Sequence, residues 1–197
     1  YKEMTPIQAQ GLPVLLQGDD LLAQAKTGSG KTAAFGIELL NKLEALTYQT
    51  QSLVLCPTRE LADQVSNEIR RIARAVPNTK ILTLCGGKPM GAQVASLERD
   101  PHIVVGTPGR ILKHLLKGTL NLDNLNTLVL DEADRMLDMG FLEDIMLITD
   151  KMPRKRQTLL FSATYPDEIK HISGMVQINP VEVRVETSHH NQQIKQA

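Results

Sequence analysis

The sequence has few cysteines, no net charge and no long apolar runs, and each lack excludes something. Only Cys56 and Cys85 occur, and each ends an apolar run. This predicts free buried thiols and a cytoplasmic location. The 22 basic side chains balance the 22 acidic ones. Overall charge therefore gives no sign of a nucleic-acid partner, and such binding would need local sites.

Membrane and secretion signals are also missing. No apolar run reaches the roughly 18 residues that a membrane helix needs, so no membrane partner is expected. No basic segment is followed by an apolar stretch and a small-residue site, so we expect no signal peptide. With 197 residues, 42% of them hydrophobic, the chain can bury a sizeable core, which excludes a disordered protein.

Short runs of Leu, Val and Ile alternate with longer amphipathic stretches. Seven strands are predicted at Asp20–Ala25, Ser52–Cys56, Lys80–Cys85, His102–Val105, Thr127–Leu130, Gln157–Phe161 and Val181–Val185. Helices are predicted at Pro6–Leu16, with Thr5 as N-cap, and at Lys31–Leu46, Arg59–Arg74, Gly91–Arg99, Pro108–Lys117, Arg135–Lys151 and Asp167–Val176. This alternation predicts an α/β fold, with a mostly parallel sheet covered by helices on both faces.

The strongest local motif follows the first predicted strand and opens a helix. Its residues are Ala25, Lys26, Thr27, Gly28, Ser29, Gly30, Lys31 and Thr32. This context is that of a P-loop, in which backbone N–H groups and a helix N-terminus surround phosphates. Lys31 can reach the β- and γ-phosphates, and the Thr32 hydroxyl can bind Mg²⁺. Ala25 replaces the usual first glycine, which is tolerable where φ stays negative.

Two other interpretations also fit the glycines. Gly28, Gly30 and Ala33 also fit a dinucleotide-binding pattern, but that pattern requires an acidic residue at the end of the next strand. Cys56 and Pro57 stand there instead. A chance glycine-rich turn is the other alternative, and the strand–loop–helix context argues against it.

An acidic tetrapeptide, Asp131–Asp134, ends the fifth predicted strand. At a strand end, Asp131 can hold Mg²⁺ beside the phosphates, and Glu132 can polarise the attacking water. A solvated acidic helix cap is the plain alternative. Together with the P-loop, the tetrapeptide predicts nucleotide hydrolysis with Glu132, Lys31 and Asp131 as the catalytic group.

The chain resembles the DEAD-box RNA helicases, whose name Asp131–Asp134 spell. Further family motifs follow in order at Thr5–Gln8, Pro57–Ala62, Gly86–Gly87, Thr107–Arg110 and Ser162–Thr164. Three stretches narrow the resemblance to one bacterial member of the family: Leu53–Gln64, Asn78–Gly87 and Arg156–Thr164. The resemblance implies a RecA-like P-loop domain over residues 1–186, with 187–197 as a linker to a second RecA-like domain.

The resemblance also implies the ligands. It implies ATP together with Mg²⁺. Adenine is expected as the base, because the Gln8 amide suits its donor and acceptor and Tyr1 stands where the family places an aromatic ring. RNA is expected to be held by its backbone, with ribosomal RNA as the implied target of the full-length protein. The RNA-binding residues are predicted to be Pro57, Thr58, Arg59, Gly87, Thr107, Pro108, Gly109 and Arg110.

Nucleotide state is predicted to be coupled to loop position through Asp134, Ser162 and Thr164, although the two hydroxyls could instead cap the next helix. Arg59 and Arg110 could likewise serve only in capping and ion pairing. His189 and His190 could bind a metal, but they lack the spacing of helical ligands.

Other function classes stay open at this point. A nucleotide-switched RNA-binding module without turnover is the main alternative, and Glu132 argues against it. A transporter ATPase would carry an LSGGQ-type signature, which the sequence lacks. A small-molecule kinase would not need Gln8 or the Ser162–Thr164 motif.

Overall fold

The computed structural model describes residues 3–185. Its seven strands form one parallel sheet in the order β3-β4-β2-β5-β6-β1-β7. The strands are β1 Leu21–Gln24, β2 Ser52–Leu55, β3 Ile81–Leu84, β4 Ile103–Gly106, β5 Thr127–Leu130, β6 Gln157–Ser162 and β7 Val181–Arg184. The helices are α1 Pro6–Gln17, α2 Lys31–Asn41, α3 Arg59–Ala73, α4 Met90–Leu97, α5 Pro108–Leu116, α6 Ala133–Asp138, α7 Leu142–Thr149 and α8 Asp167–Val176.

Alternate residues of the central strands face two separate apolar cores. In β2, Val54 packs with the first core, and Leu53 and Leu55 pack with the second. All three side chains are completely buried, as expected for strands covered on both faces. Helices α1 to α3 contribute to the first core and α4 to α8 to the second. The predicted α/β fold with helices on both faces is confirmed.

Two predicted helices were too long. The predicted helix Arg135–Lys151 is two helices, because the chain turns at Gly140, where φ is +80°, a conformation that glycine adopts without strain. The predicted helix Lys31–Leu46 ends at Asn41. After it, the side-chain amide of Gln51 donates to the carbonyl oxygens of Glu44 and Thr47 and holds a turn.

All strands run in one direction, so their carboxyl ends share one edge of the sheet. The predicted motifs follow β1, β2, β3, β4, β5 and β6 and therefore gather at this edge, the usual ligand edge of α/β sheets. Within residues 3–185, no helix is both long and apolar enough to cross a membrane.

Candidate functional site

The P-loop occupies the turn between β1 and α2, as predicted. Gly28 and Gly30 have φ values of +79° and +88°, which L side chains rarely adopt. Ala25 is not among the described residues with positive φ, so the alanine fits there without strain. Its N–H donates to the Ser162 carbonyl oxygen at 2.9 Å, which fixes the start of the loop on β6.

Lys31 and Asp131 form a buried ion pair at the base of the loop. The Lys31 Nζ lies 2.9 Å from Asp131 Oδ1, and the two side chains are 5% and 0% exposed. Complete burial raises the pKa of the Asp131 carboxyl, and the Lys31 ammonium opposes that rise. A phosphate entering the loop would therefore compete with Asp131 for the same ammonium group.

Glu132 is held in a conformation unusual for its residue type. Its φ is +52°, in the left-handed region, and it is the N-cap of α6. One carboxylate oxygen accepts a hydrogen bond from the Thr27 hydroxyl at 2.7 Å, and the other lies 3.4 Å from the Arg135 guanidinium. This sharp turn after β5 directs the carboxylate to the P-loop rather than to solvent.

Gln8 is buried between α1 and the P-loop. Its amide oxygen accepts from the Thr5 N–H at 3.0 Å, and its amide nitrogen donates to the Gly30 carbonyl oxygen at 3.1 Å. The side chain therefore contacts the P-loop, and both polar atoms that are predicted to read adenine already have protein partners. Tyr1, together with His189 and His190, lies outside the described residues.

The predicted magnesium ligands offer suitable chemistry. The Asp131 carboxylate is contacted by the Lys31 ammonium and the Glu132 backbone N–H, and because its two oxygens have about four lone-pair sites, it can still accept a metal ion. Carboxylate and hydroxyl oxygens are hard ligands that suit Mg²⁺. Thr32 lines a cavity of about 370 Å³ beside the P-loop, together with Lys31 and Glu132. No cluster of three or more His, Cys, Asp or Glu residues within 3–185 could hold a metal without other ligands.

A second cavity at the same edge, here called the arginine groove, joins most of the predicted RNA residues. It is lined by Pro57, Thr58, Arg59, Glu60, Gly86, Gly87, Thr107, Met139 and Phe141. Pro108, Gly109 and Arg110 follow Thr107 as the first turn of α5. Phe141 packs against the second core as well as lining the groove, whereas Met139 is 48% exposed.

Arg110 bonds to neutral partners, and Arg59 packs against the Gly87 backbone. One Nη1 of Arg110 donates to the Lys88 carbonyl oxygen and to the Gln93 amide oxygen, both at 3.0 Å. Arg59 lies against Gly87, where a Cβ atom would overlap its guanidinium. Thr58 is the N-cap of α3, and its hydroxyl oxygen accepts from the Leu61 N–H. Its hydroxyl proton remains available to another acceptor.

The predicted coupling residues are only partly joined. Asp134 Oδ2 accepts two hydrogen bonds from Thr164, from the hydroxyl at 2.9 Å and the backbone N–H at 3.1 Å. Ser162 is completely buried at the end of β6, and its hydroxyl has no hydrogen-bond partner among residues 3–185. Within that range, the coupling residues are therefore joined only through Asp134 and Thr164.

Some contacts at this edge carried no sequence signal. The left-handed turn at Glu132 and its bond to Thr27 depend on strands that are distant in sequence. Gln93 lies beside Arg110 through the pairing of β3 with β4, and His114, four residues after Arg110 on α5, bonds to the same amide. Neither residue belongs to a motif that the sequence indicated.

The chain was compared with known proteins. The profile of the DEAD/DEAH box helicases matches residues 5–172. The chain is 61% identical over 188 residues to the ATP-dependent RNA helicase DbpA of Escherichia coli, covering 95% of this chain and 41% of that protein. It is 49% identical over 185 residues to the helicase CshA of Geobacillus kaustophilus, covering 94% and 39%. The narrower resemblance predicted from the sequence, to bacterial DbpA, is confirmed.

Solved structures agree with this fold. A DEAD box protein from Methanococcus jannaschii is 41% identical with a TM-score of 0.88, covering 92% of this chain and 50% of that chain. A hypothetical ATP-dependent RNA helicase from Sulfolobus tokodaii is 40% identical with a TM-score of 0.85, covering 94% and 54%. The chain spans about two fifths of the length of the curated relatives named above.

Proposed function

The chain belongs to the DEAD/DEAH box helicase family, and on that premise we propose that it is the ATP-binding domain of an ATP-dependent RNA helicase. In this proposal the domain spans residues 1–186, and 187–197 lead to a second RecA-like domain. ATP hydrolysis is coupled to the remodelling of RNA duplexes. One observation carries the proposal: Lys31, Asp131 and Glu132 meet at the P-loop, on the same sheet edge as the arginine groove.

The residues at the P-loop divide the work of phosphoryl transfer. Lys31 exchanges its bond to Asp131 for the β- and γ-phosphates, and the backbone from Ala25 to Thr32 surrounds the phosphate oxygens. Glu132 accepts a proton from the attacking water. Thr32 and Asp131 would hold Mg²⁺, which neutralises phosphate charge when bound. Gln8, with Tyr1, selects adenine by exchanging its protein partners for the base.

RNA is held at the arginine groove by contacts to its backbone. Arg59 and Arg110 supply positive charge, and Thr58, Thr107, Gly87 and Gly109 supply hydroxyl and N–H donors. Pro108 begins α5 at its first helical position, and Pro57 precedes the N-cap of α3, so both fix the backbone before the donors. Such contacts carry no base information, which supports binding without sequence preference.

Asp134 and Thr164 support the coupling of the two ligands. Their two hydrogen bonds join the turn after β5, which carries Glu132, to the turn after β6. A movement of one turn on hydrolysis is transmitted to the other. Ser162 would take part in this coupling only if ligand binding brought a hydrogen-bond partner to its hydroxyl.

ATP turnover by the full-length protein, with and without single-stranded RNA, tests the proposal. We expect RNA to stimulate turnover, and residues 1–197 alone to be nearly inactive. The lack of an arginine finger lowers the rate of hydrolysis about 10³- to 10⁵-fold in related P-loop enzymes. ATP-dependent RNA binding with no turnover would favour a nucleotide-switched RNA-binding module instead. Equal rates for the isolated residues 1–197 and the full-length protein would refute the need for a second domain.

Ribosomal RNA as target, and ribosome assembly as process, remain proposals drawn from the family resemblance. The described residues offer donors for an RNA backbone, so selection of one RNA would fall to other parts of the full-length protein. A cytoplasmic location is likewise proposed, on the free, buried thiols of Cys56 and Cys85.

A further inference from the structure

A buried polar cluster lies behind Arg110. Its members, here called the Gln93 cluster, are Gln93, His114 and Thr119. Gln93 is 5% exposed and His114 is completely buried, so their polar atoms depend on protein partners. The cluster joins α4 to α5 and contacts the end of β3.

The hydrogen bonds fix how each group is oriented. The Gln93 amide nitrogen donates to the Cys85 carbonyl oxygen at 2.9 Å, and its amide oxygen accepts from Arg110. An arginine has no acceptor, so this amide cannot be turned around. The amide oxygen also lies 2.8 Å from His114 Nε2, and that ring nitrogen must therefore carry the proton.

With the proton on Nε2, the Nδ1 of a neutral His114 is an acceptor. It lies 2.8 Å from the Thr119 hydroxyl, whose single proton can go to Nδ1 or to the His114 carbonyl oxygen at 3.2 Å, and the shorter contact favours Nδ1. Burial lowers the pKa of the imidazole, and the nearby Arg110 and Lys117 lower it further. Both lone-pair positions of the Gln93 oxygen are thus occupied, one by His114 and one by Arg110.

This arrangement leaves half of the arginine free. Both protons of one Arg110 nitrogen, Nη1, are taken by the Lys88 carbonyl and Gln93 oxygens. Among residues 3–185 the Nε and Nη2 groups have no hydrogen-bond partner, and they retain three protons on the side of the guanidinium that can form a forked contact with a phosphate. Because Gln93 is neutral, it orients the guanidinium without neutralising its charge.

We propose that Gln93 and His114 are positioning residues that hold Arg110 in the orientation that binds an RNA phosphate. The proposal rests on the proposed function, since it assumes that Arg110 contacts RNA. The hydrogen bonds of Arg110 to Lys88 and Gln93 join the start of α5 to the loop after β3 and to α4.

Binding of single-stranded RNA to the full-length protein, and the RNA dependence of its ATPase, test the role. We expect Gln93→Leu to raise the RNA concentration for half-maximal ATPase about 10-fold, the equivalent of one charge-assisted hydrogen bond, and to change kcat less than about twofold. Arg110→Ala should have at least the same effect. The double variant should resemble Arg110→Ala alone, because Gln93 acts through that arginine.

Two substitutions of His114, one conservative and one not, can be compared, and His102 provides a matched control. His114→Gln retains a donor near the Nε2 position and should bind RNA better than His114→Leu. His102 is equally buried but lies just before β4, at the opposite edge of the sheet, so His102→Leu should leave RNA dependence unchanged. Thermal unfolding of every variant reports loss of fold separately.

The outcomes separate this inference from the proposed function. Unchanged RNA dependence in Gln93→Leu, alongside weakened binding in Arg110→Ala, would overturn the positioning role. Additive effects in the double variant would do the same. RNA-independent turnover by the wild type would refute the proposed function and this role with it. Nitrogen-15 NMR of the wild type gives a check that needs no variant: a proton on His114 Nδ1 instead of Nε2 would contradict the arrangement.

Discussion

The P-loop and the arginine groove lie on one edge of the sheet, but the basic side chains of the two regions have different kinds of partner. At the P-loop, Lys31 already faces two carboxylates, at 2.9 and 4.0 Å. Beside the groove, in the first turn of α5, Arg110 bonds to a carbonyl and an amide oxygen. The lysine charge is balanced before a ligand arrives, whereas the arginine charge is only oriented.

This difference predicts two binding modes. A nucleotide must displace protein carboxylates from Lys31, so its binding rearranges the site. RNA meets guanidinium groups that keep their charge, so its binding is attractive at a distance and sensitive to salt. A chain with no net charge can therefore attract a polyanion through one local surface.

The largest effect is expected at Glu132. In the full-length protein, Glu132→Gln should slow ATP turnover by about 100-fold or more, because a general base is lost. Nucleotide and RNA binding should be largely kept, since the amide oxygen can still accept from Thr27. Asp138→Asn, an exposed acid at the end of the same helix, is the control. Single-turnover rates measure the effect, and a wild-type rate in Glu132→Gln would remove Glu132 from the mechanism.

Removal of the P-loop cation should weaken nucleotide binding itself. Lys31→Ala is expected to reduce ATP affinity by roughly 10- to 100-fold, as for a lost charge-assisted bond. Lys42→Ala is a matched control, because Lys42 also pairs with a completely buried carboxylate, that of Glu38, at 3.0 Å. Both variants should be less stable, but only Lys31→Ala should lose ATP, as measured by calorimetry. Equal ATP affinities would contradict the role of Lys31.

The packing of Arg59 against Gly87 can be broken by one methyl group. Gly87→Ala should weaken RNA binding roughly 10-fold, since the Cβ atom displaces the guanidinium. Gly118→Ala is the control, because Gly118 also has a positive φ, +69°, but no heavy atom within 4 Å of the added Cβ. Both should lose about 1 kcal/mol of stability from backbone strain. The same RNA affinity in both would show that Arg59 does not depend on Gly87.

Gln8 should affect selectivity more than affinity. Gln8→Ala is expected to reduce the preference for ATP over GTP several-fold, because the amide that suits adenine is lost. Gln10→Ala, on an exposed position of the same helix, should keep the preference. Competition between the two nucleotides measures it, and an unchanged ratio in Gln8→Ala would exclude the role in reading adenine.

The smallest effect concerns pH. Burial lowers the pKa of the His102 and His114 imidazoles below their unfolded value of about 6.5. Below that pH the unfolded chain takes up protons that the folded chain does not, so the free energy of unfolding falls. The double change to glutamine should flatten this fall below about pH 6.5 in urea titrations. His171→Gln, at an exposed position, should leave the slope as it is.

Local patterns were enough to predict the sheet and much of the site. Each predicted strand is a short apolar run that pairs in the sheet, and the motifs at their ends lie where the parallel topology requires. Lys31, Asp131 and Glu132 meet for this reason. Helix ends were predicted less well. The turn at Gly140 depends on a positive φ, and the turn after Asn41 is held by Gln51, a side chain several residues beyond the end of the helix.

The support for the arginines was not predictable from sequence. Gln93 and Arg110 are 17 residues apart, and their contact requires β3 to lie beside β4. The order of the strands brings residues into contact that the hydrophobic periodicity of the sequence does not indicate. The enclosure of Ser162 is of the same kind, since the burial of its hydroxyl depends on the neighbouring strands.

The backbone at Glu132 has a consequence for how this position can vary. Within residues 3–185, three non-glycine residues have positive φ, and the other two are Asn78 and Asn179. Asparagine tolerates that conformation, whereas glutamate is strained there by about 1 kcal/mol or more. Glycine or asparagine at 132 would relieve the backbone and remove the carboxylate. Under the proposed function, stability and chemistry therefore make opposite demands on this residue.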